Sequence, residues 1–450
     1  MAENFRSIGS TIELNLKAAP RMRRKKSHVR TPTKIKDLKV LKTGVIYGPN
    51  ASGKSNILKA LEFFKELIVD YRKPNTFIEF DQFKMDEKPN KNTKFYIEFV
   101  CAEVLFGFGV ELNNERIVEE SLIAITKNEE HNIYNRKFEN GKYIFDLNTD
   151  VIDKNLTKEQ SKEQFDALKY IGAYTAKNKL FISECNERNI SEQHSDFIGN
   201  IVNIFFRYHL VLIFPETKYA GLVTDIKNRA KGECEYIDLL SDLDTGLDDI
   251  ALTEVQESAI DKELLDKIKE DLSQSNNDIS FEFAKNQYQI EYTKEGEFKV
   301  YKLEAVHKLA NNKQVKFSLY DESDGTKRLL DLMPAICRKR SQEHDVTYVI
   351  DEFDRSLHPN LAKLFLEMFL DSEDDVNSDQ LIVTTHEAEL LDKDLLRRDE
   401  IWFVQKERNK STSLYSLNDY STRFDKDIHK AYLEGKFGAI PNIVKKFKRI

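Results

Sequence analysis

The sequence predicts an α/β fold built on a largely parallel sheet, and three apolar runs carry this prediction. The run TGVIY precedes a segment, 54–69, with the periodicity of a helix. The run VTYVI at 346–350 precedes a second helical segment near 359–370, and QLIVTT, which begins at Gln380, is the third run. Apolar strands that alternate with helices are typical of parallel sheets covered on both faces. Because a long middle region separates the first run from the others, the predicted core is split in sequence.

Several further segments have the pattern of strands or helices. Strands are predicted at STIELNL (10–16), FIEFDQF (77–83), KFYIEFV (94–100), LFGFGVEL (105–112), KYIFDL (142–147) and in three runs between 279 and 308. From about 153 to 275 the pattern turns helical, including the apolar stretch from 198 to 213. The predicted organisation is therefore an N-terminal part at 1–150, a helical insertion at 151–278 and a C-terminal part at 279–450.

The distribution of charge is uneven. The chain has 450 residues, is 40% hydrophobic and 32% charged, and carries a net charge of −8, so it is expected to be globular without a general attraction to nucleic acid. Residues 17–42, however, hold eleven Lys and Arg against one acid and include RMRRKK, whereas 233–272 hold fourteen acids against three lysines. The basic segment is a candidate for nucleic-acid contact or for docking of an acidic partner, or it is a solvated loop.

A cytoplasmic location is expected from the cysteines and the apolar stretches. The four cysteines lie far apart with no CxxC pair, which argues against a disulfide framework and a cysteine zinc site. The most apolar stretch, 201–214, contains Arg207 and His209 and is too short and too polar to span a bilayer. No signal peptide is predicted, and no membrane partner is expected.

The sequence GPNASGKS matches the pattern G-x-x-x-x-G-K-[ST], which forms a phosphate-binding loop between a strand and a helix. Its residues are Gly48, Pro49, Asn50, Ala51, Ser52, Gly53, Lys54 and Ser55. The glycines let backbone N–H groups approach phosphate oxygens, the lysine reaches the β- and γ-phosphates, and the serine hydroxyl is placed to ligate Mg²⁺. The alternative is a glycine-rich turn without a chemical role, but the flanking strand and helix favour a site for ATP and Mg²⁺.

Two acids and a histidine follow the later apolar strands. Asp351 is predicted to hold the Mg²⁺ shell, and Glu352 to orient or deprotonate the attacking water. His386 stands just past the strand QLIVTT, where an imidazole could bond the γ-phosphate or the water. The alternatives are a strand that ends in solvated acids and a histidine that is there by chance.

The segment ESDGTKRLLDL places Ser323 and Gly325 at the start of an amphipathic helix. The N-terminus of a helix offers backbone amides to an anion. Ser323 or Asp324 could instead form an ordinary helix N-cap.

Taken together, GPNASGKS, ESDGTKR, VTYVIDEFD and IVTTH resemble the motifs of the ABC-type ATPase head of SMC-like and OLD-like proteins. With ENFRSIGSTIEL, DEFDRSLHP and YLEGKFGAIPNI added, the chain is similar to bacterial AAA-type ATPases encoded in anti-phage systems, such as RloA and the AriA subunit of PARIS. The resemblance implies an α/β ABC-ATPase head with a P-loop NTPase core sheet, an antiparallel β subdomain and an inserted helical domain.

The resemblance also implies how the site works. In such heads two subunits pack head to tail, so Ser323 and Gly325 would act on the nucleotide of the neighbouring subunit, and a homo-oligomer is expected. The signature departs from the LSGGQ form, since Glu322 replaces the leucine, Asp324 the first glycine and Thr326 the glutamine. Asp324 would place an acid near the γ-phosphate. Lys327 or Arg328 could compensate for it. ATP hydrolysis is therefore expected and could be slow.

Three functions are compatible with these motifs. The first is an ATPase that senses infection and holds a separate effector, a nuclease of the TOPRIM or RloB-like kind, with a phage protein as trigger. The chain after His386 is too short for a fused TOPRIM domain, so any nuclease is expected to be another chain. The second is a stand-alone SMC-like ATPase of DNA metabolism that binds DNA through the basic segment. The third is a nucleotide-dependent switch with little turnover.

Overall fold

The computed structural model describes most of the chain, including every predicted site residue. The described residues are 1–20, 26–31, 38–85, 91–126, 129–148, 158–188, 199–217, 226, 240, 243, 245–275, 279–293, 297–336, 345–370, 379–420 and 427–441. Most of RMRRKK and part of the acidic segment 233–272 lie outside the described residues.

The elements are numbered in chain order. The strands are β1 (Ala2–Glu3), β2 (Val29–Arg30), β3 (Val40–Leu41), β4 (Thr43–Tyr47), β5 (Thr93–Cys101), β6 (Val104–Leu112), β7 (Ile117–Ile125), β8 (Glu130–Glu139), β9 (Lys142–Leu147), β10 (Leu210–Ile213), β11 (Asp249–Val255), β12 (Ile279–Phe283), β13 (Asn286–Tyr292), β14 (Phe298–Lys308), β15 (Gln314–Ser318), β16 (Thr347–Ile350), β17 (Gln380–Thr385), β18 (Ile401–Lys406) and β19 (Thr412–Ser416). The α-helices are α1 (Lys54–Val69), α2 (Lys158–Tyr174), α3 (Phe181–Glu187), α4 (Gly199–Ile204), α5 (Lys262–Ser275), α6 (Asp324–Ile336), α7 (Pro359–Leu370) and α8 (Ile428–Leu433). The fold is thus mixed α/β, as predicted.

The chain divides into two compact units. The first unit comprises Met1–Leu212, Asp345–Glu352 and Glu373–Ile450, and the second comprises Ile213–His344 and Phe353–Ser372. Each unit combines segments that are far apart in the sequence, so contacts between distant residues hold it together.

The central sheet of the first unit has the strand order β10-β16-β17-β4-β18-β19. The pairs β16–β17, β17–β4 and β4–β18 are parallel, and β18–β19 is antiparallel. All five residues of β4 are buried, as expected for a strand covered on both faces. Because β16, β17 and β4 run in parallel, the residues that follow them gather at one edge of the sheet, where α/β proteins bind ligands.

A second sheet of the first unit is antiparallel, with the order β1-β5-β6-β7-β8-β9. The buried face of α1 reaches it through aromatic rings. Phe64 stacks on Phe95 at 5.4 Å and on Phe108 at 5.7 Å between ring centroids, and Phe63 lies 5.5 Å from Phe5. Such ring pairs add stabilisation beyond the area that they bury, so α1 is held firmly behind the phosphate loop.

A buried acid and a buried arginine attach the following helices to this sheet. Glu120 on β7 accepts bonds from the Tyr134 hydroxyl at 2.8 Å and from the backbone N–H of Phe181 at 2.8 Å, at the start of α3. Arg136 on β8 donates to three backbone carbonyls between Gly172 and Lys179. Burial raises the pKa of Glu120, while the nearby Arg136 opposes the shift.

The second unit is built on an antiparallel sheet of order β11-β14-β13-β12, with β15 paired to β14. The helix α6 packs on this sheet in one hydrophobic cluster, through Leu329, Leu330 and Met333 against Leu303 and neighbouring residues. A second cluster joins α5 to the sheet, through Leu265, Ile268 and Leu272. This unit therefore has a hydrophobic core of its own.

Two predicted strands are wrong. Within STIELNL only isolated pairing is present, with Ile12 bridging to Ala2, and FIEFDQF contains no strand. The side chain of Asn114 donates to the carbonyls of Ile78 and Phe80, and the N–H of Ile78 donates to the Asn114 carbonyl. Asn114 thus satisfies backbone groups of FIEFDQF that would otherwise bond to a neighbouring strand.

The range 151–278 contains strands as well as helices. The apolar stretch predicted as helical ends in β10, which joins the central sheet beside β16, and β11 lies within the acidic segment. The domain limits 1–150, 151–278 and 279–450 remain a prediction. Among the helices that the structure describes, none is long and apolar enough to cross a bilayer.

Candidate functional site

The loop between β4 and α1 has the backbone of a phosphate cradle. Ala51 and Gly53 have positive φ angles of 62° and 110°. A Cβ atom on Gly48 would lie 2.5 Å from the carbonyl oxygen of Val404, and one on Gly53 would lie 2.1 Å from Oγ1 of Thr412. Gly48 is thus required by space, and Gly53 by space and by its left-handed backbone conformation. This explains the two glycines of GPNASGKS in physical terms.

The loop also presents polar groups suited to an anion. Gly53 is the N-cap of α1, and no side chain caps the first turn of this 16-residue helix. Its first N–H groups therefore point, with the positive end of the helix dipole, at the space where phosphate oxygens would lie. Ser52 is buried, and its Oγ has no hydrogen-bond partner among the described residues. The loop thus fits the phosphates of a nucleotide.

Lys54 is the first residue of α1, and its side chain is buried. Its Nζ donates to the carbonyl oxygens of Gly48 at 2.8 Å and Pro49 at 3.3 Å. The ring of His386 lies 3.0 Å away through Nε2 and 3.2 Å away through Nδ1. An ammonium group only donates, so the ring nitrogen that receives this bond carries no proton. The structure therefore brings together two of the residues predicted from separate motifs.

The two acids, Asp351 and Glu352, follow β16, which pairs with β17. Asp351 is buried and accepts a bond from the hydroxyl of Thr384 at 2.5 Å. The backbone N–H of Glu352 donates to the same hydroxyl at 2.8 Å. Strands β16, β17 and β4 are adjacent, and neighbouring strands lie about 4.8 Å apart, so Asp351 is about 10 Å from the end of β4. That separation is short enough for one metal ion and a phosphate to bridge.

Glu352 has a φ of 44°, in the left-handed region that residues other than glycine seldom adopt. Such strain is held only where the surroundings fix it, and it concentrates at functional sites. Here the bond from the Glu352 amide to Thr384 supplies one anchor. The geometry therefore favours a functional role for this acid over a strand end that is merely solvated.

A Mg²⁺ ion would have few protein ligands here. No group of three or more His, Cys, Asp or Glu side chains in the described part of the chain could hold a metal ion. Magnesium commonly uses one or two carboxylates together with substrate phosphates and water. Asp351 and the half-buried Ser55, the second residue of α1, are the residues that would hold it.

Three polar side chains that no motif assigned to the site form a hydrogen-bonded chain that contacts the phosphate loop. The Thr412 hydroxyl donates to the carbonyl of Ser52 at 3.0 Å, and Ser7 Oγ lies 2.8 Å from Thr412 Oγ1. The amide of Asn56 donates to Ser7 at 2.8 Å. These three residues come from three separate parts of the chain, and no local sequence pattern indicated that they would meet.

The segment ESDGTKR lies in the second unit, and there Ser323 is an N-cap. Its Oγ accepts a bond from the backbone N–H of Thr326 at 3.0 Å, at the start of α6. The side chain of Asp324, the first residue of α6, pairs with that of Lys327 at 3.1 Å. His307 contacts Glu322 at 2.7 Å, and this hydrogen bond raises the pKa of the imidazole. Lys327 thus partly neutralises the charge of Asp324.

Gly325 packs against the loop DRSLHP of the same unit. A Cβ atom there would lie 2.8 Å from the carbonyl oxygen of Ser356, whose φ is 63°. The glycine of this motif is thus explained by the approach of a backbone. Its role toward a nucleotide stays a prediction, as does that of Ser323.

Replacing Gly325 with alanine is expected to destabilise the second unit by about 1–3 kcal/mol, because the added methyl group meets backbone that must move. Urea unfolding of the variant and of the wild type measures this difference. Gly109→Ala is the control, since the nearest atoms to its Cβ would be side-chain atoms, Oγ of Ser121 and Cδ2 of Tyr96, both at 3.3 Å, rather than backbone at 2.8 Å. Equal losses in the two variants would contradict the explanation.

A glycine-rich loop on a helix N-terminus, with a lysine at its end and acids on a nearby strand, defines a P-loop nucleotide-binding protein. A family model described as "AAA domain, putative AbiEii toxin, Type IV TA system" matches residues 45–392, a range that runs from β4 past His386. The chain belongs to this family of AAA ATPases. Its domain is thus of the nucleotide-hydrolysing class, in the setting of abortive infection. The comparison with curated proteins gave no match.

Proposed function

We propose that this chain is a cytoplasmic ATP-binding and ATP-hydrolysing subunit of an anti-phage defence complex of the kind formed by RloA or AriA. In this proposal it acts as a sensor and scaffold that assembles through its ATP sites. It controls a separate effector nuclease, of the TOPRIM or RloB-like type. The observation that carries the ATPase part is the contact of Lys54 with His386 at 3.0 Å, next to the acids that follow β16.

The side chains at this edge fit the steps of phosphoryl transfer to water. Lys54 is placed to neutralise charge on the β- and γ-phosphates, and the uncapped start of α1 adds backbone donors. Ser55 and Asp351 would hold Mg²⁺, which when bound would neutralise further charge on the phosphates. Glu352 accepts the proton of the attacking water, and His386 positions that water or bonds the γ-phosphate.

The proposed homo-oligomer rests on the second unit. Ser323 and Gly325 stand at the N-terminal end of α6, where the helix dipole favours an anion. In a head-to-tail dimer this end would face the nucleotide of the neighbouring subunit. The pairing of Asp324 with Lys327 supports the proposal, because an unpaired carboxylate would repel a γ-phosphate.

The experiment separates the ATPase from the effector. The chain is purified alone, and phosphate release and cleavage of DNA and tRNA are measured with Mg²⁺. We expect nucleotide binding and phosphate release without cleavage, and a shift to a larger species in size-exclusion chromatography when ATP is added. Robust Mg²⁺-dependent cleavage of DNA or tRNA by this chain alone would overturn the proposal of a separate nuclease.

A stand-alone DNA-binding ATPase is the alternative, because residues 17–42 are strongly basic. Two of these cations are already engaged in the fold, since Lys17 pairs with Glu98 at 3.0 Å and Lys42 is buried. The test is DNA binding across a series of salt concentrations, with the charges of RMRRKK neutralised in one variant. A steep salt dependence that the variant loses would favour the DNA-binding function.

A further inference from the structure

Thr384 touches both acids of the site, although none of the motifs assigns it a role. Its Oγ1 donates to Oδ1 of Asp351 at 2.5 Å and accepts the backbone N–H of Glu352 at 2.8 Å. The residue is fully buried. A hydroxyl has a single proton, so Thr384 donates that proton to Asp351 and accepts the Glu352 N–H through a lone pair.

The strand register explains why this threonine meets these acids. Strands β16 and β17 are parallel, with Ile350 opposite Val383. The next residue on each strand is Asp351 or Thr384, so the two meet across the sheet. His386, two residues after Thr384, directly follows β17, and its ring contacts Lys54. The end of β17 thus connects the acids with the lysine of the phosphate loop.

Both bonds constrain groups that could otherwise point in several directions. The donated bond restricts rotation of the Asp351 carboxylate, because it fixes the position of Oδ1. The accepted bond holds the amide of Glu352 while that residue keeps its positive φ of 44°. A threonine in a strand is also restricted in χ1, so its hydroxyl is itself held in place.

We propose that Thr384 is a positioning residue, which orients Asp351 toward the metal ion and Glu352 toward the attacking water. This role rests on the proposed ATPase function. It differs from a purely structural role, because the groups that it holds are those expected to contact metal and water. Supporting groups of this kind around a metal site typically contribute about 10- to 100-fold to metal affinity or activity.

The test uses Thr384→Val, which keeps the shape of the side chain and removes the hydroxyl. Thr384→Ser keeps the hydroxyl, and Thr384→Ala removes it without adding a methyl group in its place. Thr43→Val is the matched control, because Thr43 is a fully buried threonine of the same sheet whose hydroxyl donates to the carbonyl of Leu381 at 2.7 Å. It stands at the start of β4, away from the phosphate loop.

Three measurements are compared across the variants. Phosphate release gives kcat and KM for ATP. Binding of a fluorescent, non-hydrolysable ATP analogue at increasing Mg²⁺ gives the Mg²⁺ concentration for half-saturation, without any turnover. Hydrogen exchange of the Glu352 amide reports its bond to Thr384.

For Thr384→Val and Thr384→Ala we expect kcat to fall about 10- to 100-fold with little change in KM, and the half-saturating Mg²⁺ concentration to rise about 10-fold. The Glu352 amide should exchange faster. Thr384→Ser is expected to recover most of each effect, and Thr43→Val to match the wild type.

The outcomes distinguish this inference from the function on which it rests. Wild-type values of kcat and Mg²⁺ dependence in the variants without the hydroxyl would overturn the role of Thr384 and leave the ATPase intact. A wild-type chain that neither binds nor hydrolyses ATP would overturn the proposed function and this role with it. If Thr384→Val fails to fold, Thr384→Ala decides the matter by the same values.

Discussion

Lys54→Ala is expected to abolish ATP binding and, with it, any protection against phage. The buried Nζ contacts two loop carbonyls and the ring of His386, so it is already aimed at the position of a phosphate. Each hydrogen bond from a charged donor contributes about 1.5–3 kcal/mol, so losing two of them lowers affinity at least 100-fold. Binding of a fluorescent ATP analogue to the purified variant measures this loss. Plaque counts on cells that carry the complete defence locus measure protection.

The control is Lys59→Ala, which removes a cation from the same helix, one and a half turns further on. This variant is expected to bind ATP as the wild type does. If Lys54→Ala bound ATP normally and still protected cells, the assignment of GPNASGKS as a phosphate loop would be wrong. Loss of binding in both variants would point to damage to α1 rather than to loss of a phosphate contact.

Glu352→Gln is expected to bind ATP nearly as tightly as the wild type, but its rate of hydrolysis should fall by a factor of about 100 or more. The amide is close in shape to the carboxylate and cannot accept the proton of the attacking water. Its backbone bond to Thr384 does not involve the side chain and should remain. Single-turnover phosphate release measures the chemical step, and size-exclusion chromatography with ATP shows whether the assembled state is trapped.

Glu389→Gln is the control for charge near the site, because Glu389 is exposed and stands three residues after His386. It should hydrolyse ATP at the wild-type rate. Normal turnover by Glu352→Gln would place the general base elsewhere. Equal rates near background for the wild type and Glu352→Gln would instead favour a switch that binds ATP with little turnover.

The parts of the fold that were predictable from sequence are those with local signals. The strand TGVIY, its glycine-rich loop and the helix that follows lie within thirty residues, and each has a characteristic pattern. The strands from 94 to 112 alternate with turns and were predicted within one residue of their ends. Local patterns also placed Asp351 and His386 just after strands and Lys54 at the start of a helix, and the sheet brought these strands and this helix together.

What the sequence did not predict depends on contacts between distant residues. Thr384 meets Asp351 across a strand pair, and Ser7 meets Thr412 across most of the chain. Such contacts follow from the strand order, which no local pattern encodes. The apolar stretch that ends in β10 was predicted to be helical to its end, because a short apolar run fits a helix and a buried strand equally well.

The position of β4 in the central sheet has a consequence for how the chain is made. This strand lies between β17 and β18, which belong to the last quarter of the chain. A ribosome adds roughly 5–20 residues per second, so β4 waits on the order of tens of seconds for its two neighbours to be synthesised. Throughout that time an apolar strand with two unpaired edges is exposed to other chains, which is the condition under which nascent proteins aggregate. Production of this ATPase should therefore depend on chaperones, and slower synthesis of its C-terminal third should lower the soluble yield.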